Sequence, residues 1–477
     1  MTPLDLVCCA ALALLPETPE EEARGLLARA ETHAREERFS EALAIYKKLA
    51  REFPETPEGK IGSRRSMPSA FVGWSDVVRH GPSSNRVDVV LMGEGYTLDH
   101  QKAFDNLAED IPRLFERQKT FREYWSYFNF LRANLVSADS GVDGFGREYD
   151  TALNAQTLKT FSGHVGVDRA KVREMLAEMP EHDSQAIVFV KQGVLGTGGG
   201  GVAVIGGMSA RTTVHEFGHS FGGLSDEYAE QQAHNQGAVR DGINVAATDD
   251  PKLVPWAHWI AAKHPGIGVY EGAAARVRGA WKPTASGCVM ENGEFFCPVC
   301  QEALVLRIYS IVDPIESASP PPPPPEIREP IVLRDEPIEI RVTVMKPASH
   351  DLQLDWWVLP ESRVPETGDG RDRGAPGRGR TGVAPAPSRS APAGRFGDRR
   401  DRGKLAPIPD RTWSTNRVDA DGVHTLRLRR SDLEPGRYKV VCRAKDSTRL
   451  RDEKWPWVVK DEHGVLESER VWWVRVP

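Results

Sequence analysis

Leu26, Leu27, Ala30 and Ala34 recur at helical spacing, and Ala42, Ile45, Tyr46, Leu49 and Phe53 form a second stripe of the same period. Residues 20–60 are therefore predicted as a helical hairpin, with Ser40 placed to cap the second helix and Pro54 to help end it. The pattern is that of a single tetratricopeptide-like unit. Such a unit needs a neighbour to bury its apolar face, so the hairpin is expected to dock on the rest of the chain. Residues 87–92 form an apolar run fit for a buried strand, and Gly93-Glu94-Gly95-Tyr96 turns from it into a helix over 103–118. Strands are predicted at 128–136 and 186–190, and helices at 168–178 and 209–221. Strands alternating with helices predict an α/β layout around a mixed, twisted sheet.

The period changes after the proline run at 320–325, which marks an extended spacer within a linker over 316–330. Residues 338–344, 425–428, 438–444 and 470–476 alternate with period two, and 352–359 add an apolar strand. Residues 331–477 are accordingly expected to form an immunoglobulin-like β-sandwich. A loop over 362–411, rich in Arg, Gly, Pro, Ala and Ser, interrupts it. That loop carries too little apolar surface to offset its chain entropy and is expected to be disordered. With 477 residues the chain is long enough for such a multidomain plan.

The chemistry concentrates at Val214-His215-Glu216-Phe217-Gly218-His219-Ser220-Phe221-Gly222-Gly223-Leu224-Ser225-Asp226-Glu227-Tyr228. On a helix, His215 and His219 leave the same face one turn apart, so two ring nitrogens can bind one Zn2+. Glu216 lies beside them as a general base for a water activated by the metal. Gly222-Gly223 can stop the helix and turn the chain back. A third ligand is then sought in the residues that follow. Ser225 stands where zincins with a glycine turn usually carry it, and serine is a poor zinc ligand. One inserted residue in the turn would bring Asp226 to the metal, with Glu227 as the alternative. Tyr228 could support a ligand or the oxyanion, although packing at the turn accounts for it as well. Met290, in Gly287-Cys288-Val289-Met290, is expected to form a methionine turn beneath the ligand histidines.

The segment from His215 to Tyr228, the preceding GTGGGGVAV and the following CVMENGEFFCPVCQEAL resemble the IgA peptidase family of zinc metallopeptidases. So do SNRVDVVLMGEGYT from Ser84, YWSYFNFLRANLVSADSG from Tyr124 and DTAL from Asp150. The resemblance implies a zincin-like peptidase domain over about 68–315, with His215, His219 and the following acidic residue as metal ligands and Glu216 as base. It implies hydrolysis of peptide bonds, and the family name does not carry over as a substrate. Residues 276–283 have fewer aromatic side chains than the family pattern, which leaves substrate preference open. Val202, Ala203 and Val204, after the glycine run 198–201, are read as an edge strand that pairs with an extended peptide. The glycine run lacks the Gly-Lys-Ser/Thr ending of a phosphate loop, which argues against a nucleotide. A non-catalytic binding protein on the same fold, or a cell-wall peptide amidase, remains as the rival function.

Charge and cysteines add less. A formal net charge of −6 points to neither nucleic acid nor a membrane surface. Residues 6–15 form an apolar run of secretory-core length, too short to span a bilayer, with Asp5 but no Lys or Arg before it. A start further upstream or a shortened signal would account for that, and the protein is expected to be exported. Of six cysteines, Cys288, Cys297 and Cys300 cluster. A second Cys-x-x-Cys is lacking, so a structural zinc is not expected. A disulfide from Cys288 to Cys297 or Cys300 is expected instead, bracing the methionine turn. Residues 139–144 have calcium-like spacing without the distal glutamate of a complete loop, which makes calcium a minor alternative.

Overall fold

The computed structural model describes residues 18–144, 146–158, 163–179, 185–192, 195–207, 209–230, 237–363, 422–448 and 460–477. The apolar run at 6–15 and nearly all of the loop at 362–411 lie outside the described residues. Among those described, no helix is long and apolar enough to cross a membrane.

Three helices open the described chain: α1 (Pro19–Arg35), α2 (Phe39–Glu52) and α3 (Pro57–Arg65). Thr18 and Glu21 form a reciprocal capping box at the start of α1. Ser40 does not cap α2: the N-cap is Arg38, without a side-chain bond, and Ser40 lies within the first turn. Burial of Phe39, whose ring packs under the Arg132 guanidinium at 5.1 Å, draws the helix start forward past the serine. The third helix was not anticipated, because its sequence is polar and its buried positions include Gly59 and Gly62. The helices dock on the sheet. Ala30, Ala34, Tyr46 and Leu49 share a core with Val72 and Val136, and the Tyr46 hydroxyl donates to the Val72 carbonyl at 2.9 Å.

The central sheet is built from β1 (Ala70–Val78), β2 (Val87–Glu94) and β3 (Phe128–Val136), with α4 (Gln101–Glu116) and α5 (Lys119–Glu123) between β2 and β3. A small pair, β4 (Gln156–Thr157) and β5 (Val165–Gly166), leads to α6 (Arg169–Ala177). Then come β6 (Gln185–Val190), β7 (Thr197–Gly199), β8 (Val202–Gly206) and α7 (Ala210–Ser220). The order across the sheet is β1-β3-β2-β6-β8-β7. β3, β2, β6 and β8 run parallel, while β1 and β7 are antiparallel to their neighbours. Both faces of the parallel strands are covered, which is why they read as continuous apolar runs. Val87, Val89, Leu91, Ile187 and Phe189 face the core that holds α4 and α7. Val90, Met92, Ala186 and Val188 face the other core.

One expectation is corrected here. Val202, Ala203 and Val204 do not form an edge strand. β8 is bonded on both sides, with Ala203 paired to Ile187 on β6 and to Gly198 on β7. β7, which contains the first half of the glycine run, is the outermost strand, and Gly200 and Gly201 make the turn after it. With no side chains to bury, the run turns back and covers the apolar strand that follows.

After α7 the chain forms α8 (Ala257–Ala261), the hairpin β9 (Tyr270–Ala273) and β10 (Arg276–Lys282), and the long helix α9 (Pro298–Ile311). Two sheets follow. One contains β11 (Ile315–Ser319), β13 (Ile338–Val344) and β15 (Val423–Leu428). The other contains β12 (Ile331–Val332), β14 (Gln353–Pro360), β16 (Gly436–Lys445) and β17 (Glu467–Val476). They share a core around Trp356, Trp472 and Leu426. β11 precedes the proline run, so the strand-rich region begins before the linker expected at 316–330. A buried knot ties this region to the rest: Asp446 accepts from the hydroxyls of Tyr124 (2.7 Å) and Tyr309 (2.6 Å), and its other oxygen meets His350 Nε2 at 2.7 Å.

Candidate metal centre

Helix α7 is fixed before its chemistry begins. The Ser209 side chain accepts from Thr212 N at its N-cap. Phe217 and Phe221 stack at 5.0 Å on the core side, and Phe217 meets Phe115 edge-on at 4.9 Å. With the aromatic face buried, His215, Glu216 and His219 are directed the other way, towards the turn that follows. Gly223, at φ +65°, reverses the chain, and Leu224 N bonds back to the Gly218 carbonyl at 3.2 Å.

The turn brings Asp226 to the two histidines. His215 Nε2, His219 Nε2 and Asp226 Oδ1 stand at 3.1 Å from one another on all three sides. Zinc bonded at about 2.0–2.1 Å to tetrahedral ligands separates them by about 3.3 Å, so this triangle has the size of one face of such a site. Each remaining ring nitrogen faces a backbone carbonyl: His215 Nδ1 lies 3.0 Å from Val289 O, and His219 Nδ1 lies 2.7 Å from Leu224 O. A carbonyl only accepts, so each Nδ1 carries the hydrogen and each neutral ring turns its Nε2 lone pair inward. Two lone pairs and a carboxylate oxygen thus converge on one point, an arrangement that a cation resolves. Without one, the site holds a proton. Burial alone would push the His219 imidazole down, but the Asp226 carboxylate raises it to about 9. Burial would likewise raise Asp226, yet the two imidazoles hold its carboxyl well below the usual range.

Glu216 shares the helix without joining the triangle. Burial pushes its carboxyl up, and the two imidazoles only partly oppose this. The outermost strand runs directly beside it. A Cβ placed on Gly198 would lie 2.5 Å from the Glu216 carbonyl oxygen and 2.9 Å from Glu216 Oε2, so only glycine allows this approach. Sequence reading gave Gly198 no such place, although the glycine run immediately before the zinc-motif helix was a usable signal.

Met290 is fully buried in a single helical turn, Val289–Glu291. It packs under α7: a Cβ on Gly218 would fall 2.7 Å from its sulfur. Its turn also supplies the carbonyl that orients His215, and the Met290 carbonyl accepts from Glu227 N at 2.7 Å. The Tyr228 ring stacks on that of His215 at 6.1 Å, and burial, with Asp226 nearby, pushes its phenol well up.

Two other expectations are corrected. Glu227 is not near the histidines. Successive residues of the extended turn point to opposite sides, so Asp226 faces the triangle while Glu227 is buried among Cys288, Cys297 and Cys300. Burial pushes the Glu227 carboxyl up to about 8. The disulfide expected from Cys288 to Cys297 or Cys300 is not formed, and all three sulfurs are free. The calcium-like residues Asp139 and Asp143 accept from the backbone amides of Asp150 and Tyr149 and so brace their own loop. His258 contacts the buried Glu302 at 2.9 Å, away from the triangle.

No curated protein matches the chain. Residues 76–266 match the model of the family described as IgA Peptidase M64, and that span includes His215, Glu216, His219 and Asp226. The match supports an IgA peptidase-type metallopeptidase family for this region of the chain.

Proposed function

We propose that the protein is a zinc-dependent endopeptidase, in which His215, His219 and Asp226 hold one Zn2+ and Glu216 is the general base. The convergence of two inward-facing Nε2 lone pairs and one carboxylate oxygen at 3.1 Å carries this reading. When bound, the ion polarises the scissile carbonyl and makes a water acidic enough to lose its proton near neutral pH. Three protein ligands leave a fourth position open for that chemistry.

The chain's own residues do the rest. Glu216, with its carboxyl raised by burial, accepts a proton from the attacking water and returns it to the leaving amine. An extended peptide lies along β7, the outermost strand, where the bare backbone of Gly198 admits it close to Glu216. Tyr228 stacks on His215, and burial with Asp226 nearby keeps its phenol protonated, which supports a positioning role. Export to the cell exterior or envelope belongs to the same proposal and rests on the apolar run at 6–15. The immunoglobulin-like reading of the C-terminal region is supported by two sheets sharing one core around Trp356 and Trp472.

The test is metal content and hydrolysis of a broad peptide library, for wild type and Glu216→Ala side by side. Metal in both and cleavage only in wild type is expected. Full cleavage by Glu216→Ala would overturn the role of the base. Metal without any cleavage by wild type would favour a binding protein. Cleavage confined to cell-wall peptides would favour an amidase.

A further inference from the structure

Glu227, Cys288, Cys297 and Cys300 each offer one ligand atom, all within 4.8 Å of one another and all on buried residues. We propose that these four residues bind a second cation, a structural Zn2+, behind the His215–His219–Asp226 centre. The inference does not depend on the peptidase reading.

The spacing fits. A tetrahedral zinc with bonds of about 2.3 Å to sulfur sets two thiolates about 3.8 Å apart, and one sulfur and one oxygen about 3.5 Å apart. Cys288 Sγ and Cys300 Sγ are 3.8 Å apart, while Glu227 Oε1 lies 3.1 Å from Cys300 Sγ and 3.8 Å from Cys297 Sγ. A disulfide requires about 2.05 Å, so the sulfurs sit at ligand spacing and not at bonding distance.

The chemistry of the cluster also suits a cation. Glu227 is 0% exposed, and no ion pair to its carboxylate occurs among the described residues. Asn244 Nδ2 donates to Oε1 at 2.8 Å, but Oε2 has no hydrogen-bond partner. Lys282 does not neutralise it: its ammonium donates to the Glu227 backbone carbonyl at 2.9 Å and pairs with Glu291. A buried carboxyl group with Oε1 towards Cys297 and Cys300 and Oε2 without a partner is costly unless something positive lies beside it. Three sulfurs and one carboxylate select zinc over magnesium or calcium, and four protein ligands leave no position open for catalysis.

The surroundings hold the ligands in place. Asn244 also clamps both backbone groups of Ser225, and the Cys297 amide donates to Cys288 Sγ at 3.4 Å. Cys297 is the N-cap of α9, and Cys300 lies in its first turn. An ion here would therefore join two pieces distant in sequence: the acidic turn, and the stretch that runs from the methionine turn into α9. Because Glu227 follows Asp226 directly, the ion would position Asp226 for the first site without touching substrate.

The test uses the full chain, purified without added metal and without chelator. Two zinc ions per chain are expected in wild type, and one in His215→Ala/His219→Ala. Cobalt exchanged into that double variant should give thiolate-to-cobalt charge-transfer absorption, because only the second cluster contains sulfur. Glu227→Gln should weaken this ion, and Cys297→Ser/Cys300→Ser should lose it. If the cysteine variant fails to fold, the cobalt spectrum decides alone. A double variant that holds no metal, or a cobalt form without the thiolate band, would overturn the proposal. So would a Cys288–Cys300 disulfide in freshly purified wild type. Wild type with one metal and a thiolate band supports this site and counts against the first. One metal without that band means the reverse.

Discussion

The carbonyl oxygen of Val289 accepts from His215 Nδ1 at 3.0 Å, which ties the orientation of the His215 imidazole to the turn that buries Met290. The two residues lie 74 positions apart in the chain. Any change that moves the turn should therefore alter metal affinity as well as stability.

Met290→Ala is expected to cost about 2–5 kcal/mol of stability, because it empties space beneath Gly218. It should also weaken zinc binding, through the displaced Val289 carbonyl. Met290→Leu, close in volume, should cost less than about 1.5 kcal/mol and leave affinity nearly unchanged. Denaturant unfolding and zinc titration of both variants check this. Equal zinc affinity in all three proteins would separate the turn from the ligand.

Gly198→Ala puts a methyl group against the Glu216 carbonyl and carboxylate. Overpacking of this kind costs about 1–3 kcal/mol. Steady-state kinetics on a cleaved peptide, normalised to bound zinc because the methyl also meets the His219 Cβ, should show lower kcat and higher KM. Wild-type kinetics in this variant would remove β7 from the substrate path.

Asp226→Asn removes the anionic member of the triangle, the proposed third ligand. Loss of a partner outside the ligand set typically lowers metal affinity about 10–100-fold, so loss of a direct ligand should do at least that. Competition with a chromogenic chelator measures it. A variant that binds zinc as tightly as wild type would rule out Asp226 as the third ligand.

The Asp446 knot should make stability depend on pH. Burial alone would lower His350, but Asp446 and Glu123 raise it above its ordinary value. Its contribution is full below the unfolded value of about 6.5 and fades as pH rises through the raised folded value. Asp446 behaves oppositely: burial would raise it, but His350 and the two tyrosines hold it low. That contribution is full above about 3.9 and fades as pH falls through the lowered value. The melting temperature of wild type over His350→Gln should thus differ most near pH 5–6, about midway between those limits, and less in alkali. A gap that stays constant into alkali would show that the charge on His350 contributes nothing.

Local chemistry was legible in the chain. The parallel strands, covered on both faces, read as apolar runs at 87–92 and 186–190, and β3 was bounded as Phe128–Val136. The alternating strand Ile338–Val344 was equally plain, since one face meets the core and the other water. The histidine pair on α7 needed only the pitch of a helix. Ser40 misled because its capping preference was local, whereas the helix start followed the burial of Phe39 against Arg132.

By itself, then, the sequence determined the repeat-driven features: periodic elements, a pair of histidines on one helix face with a glutamate between them, and a glycine turn able to return the chain. Those follow from geometry within a few residues. The tertiary structure alone decided which of Asp226 and Glu227 meets the histidines, which strand lies outermost and what the three cysteines surround. Each of these depends on segments far apart in the chain meeting in space. Asp226 and Glu227 are chemically alike and adjacent, so no local rule separates them. The packing of the methionine turn and α9 against one side of their loop does.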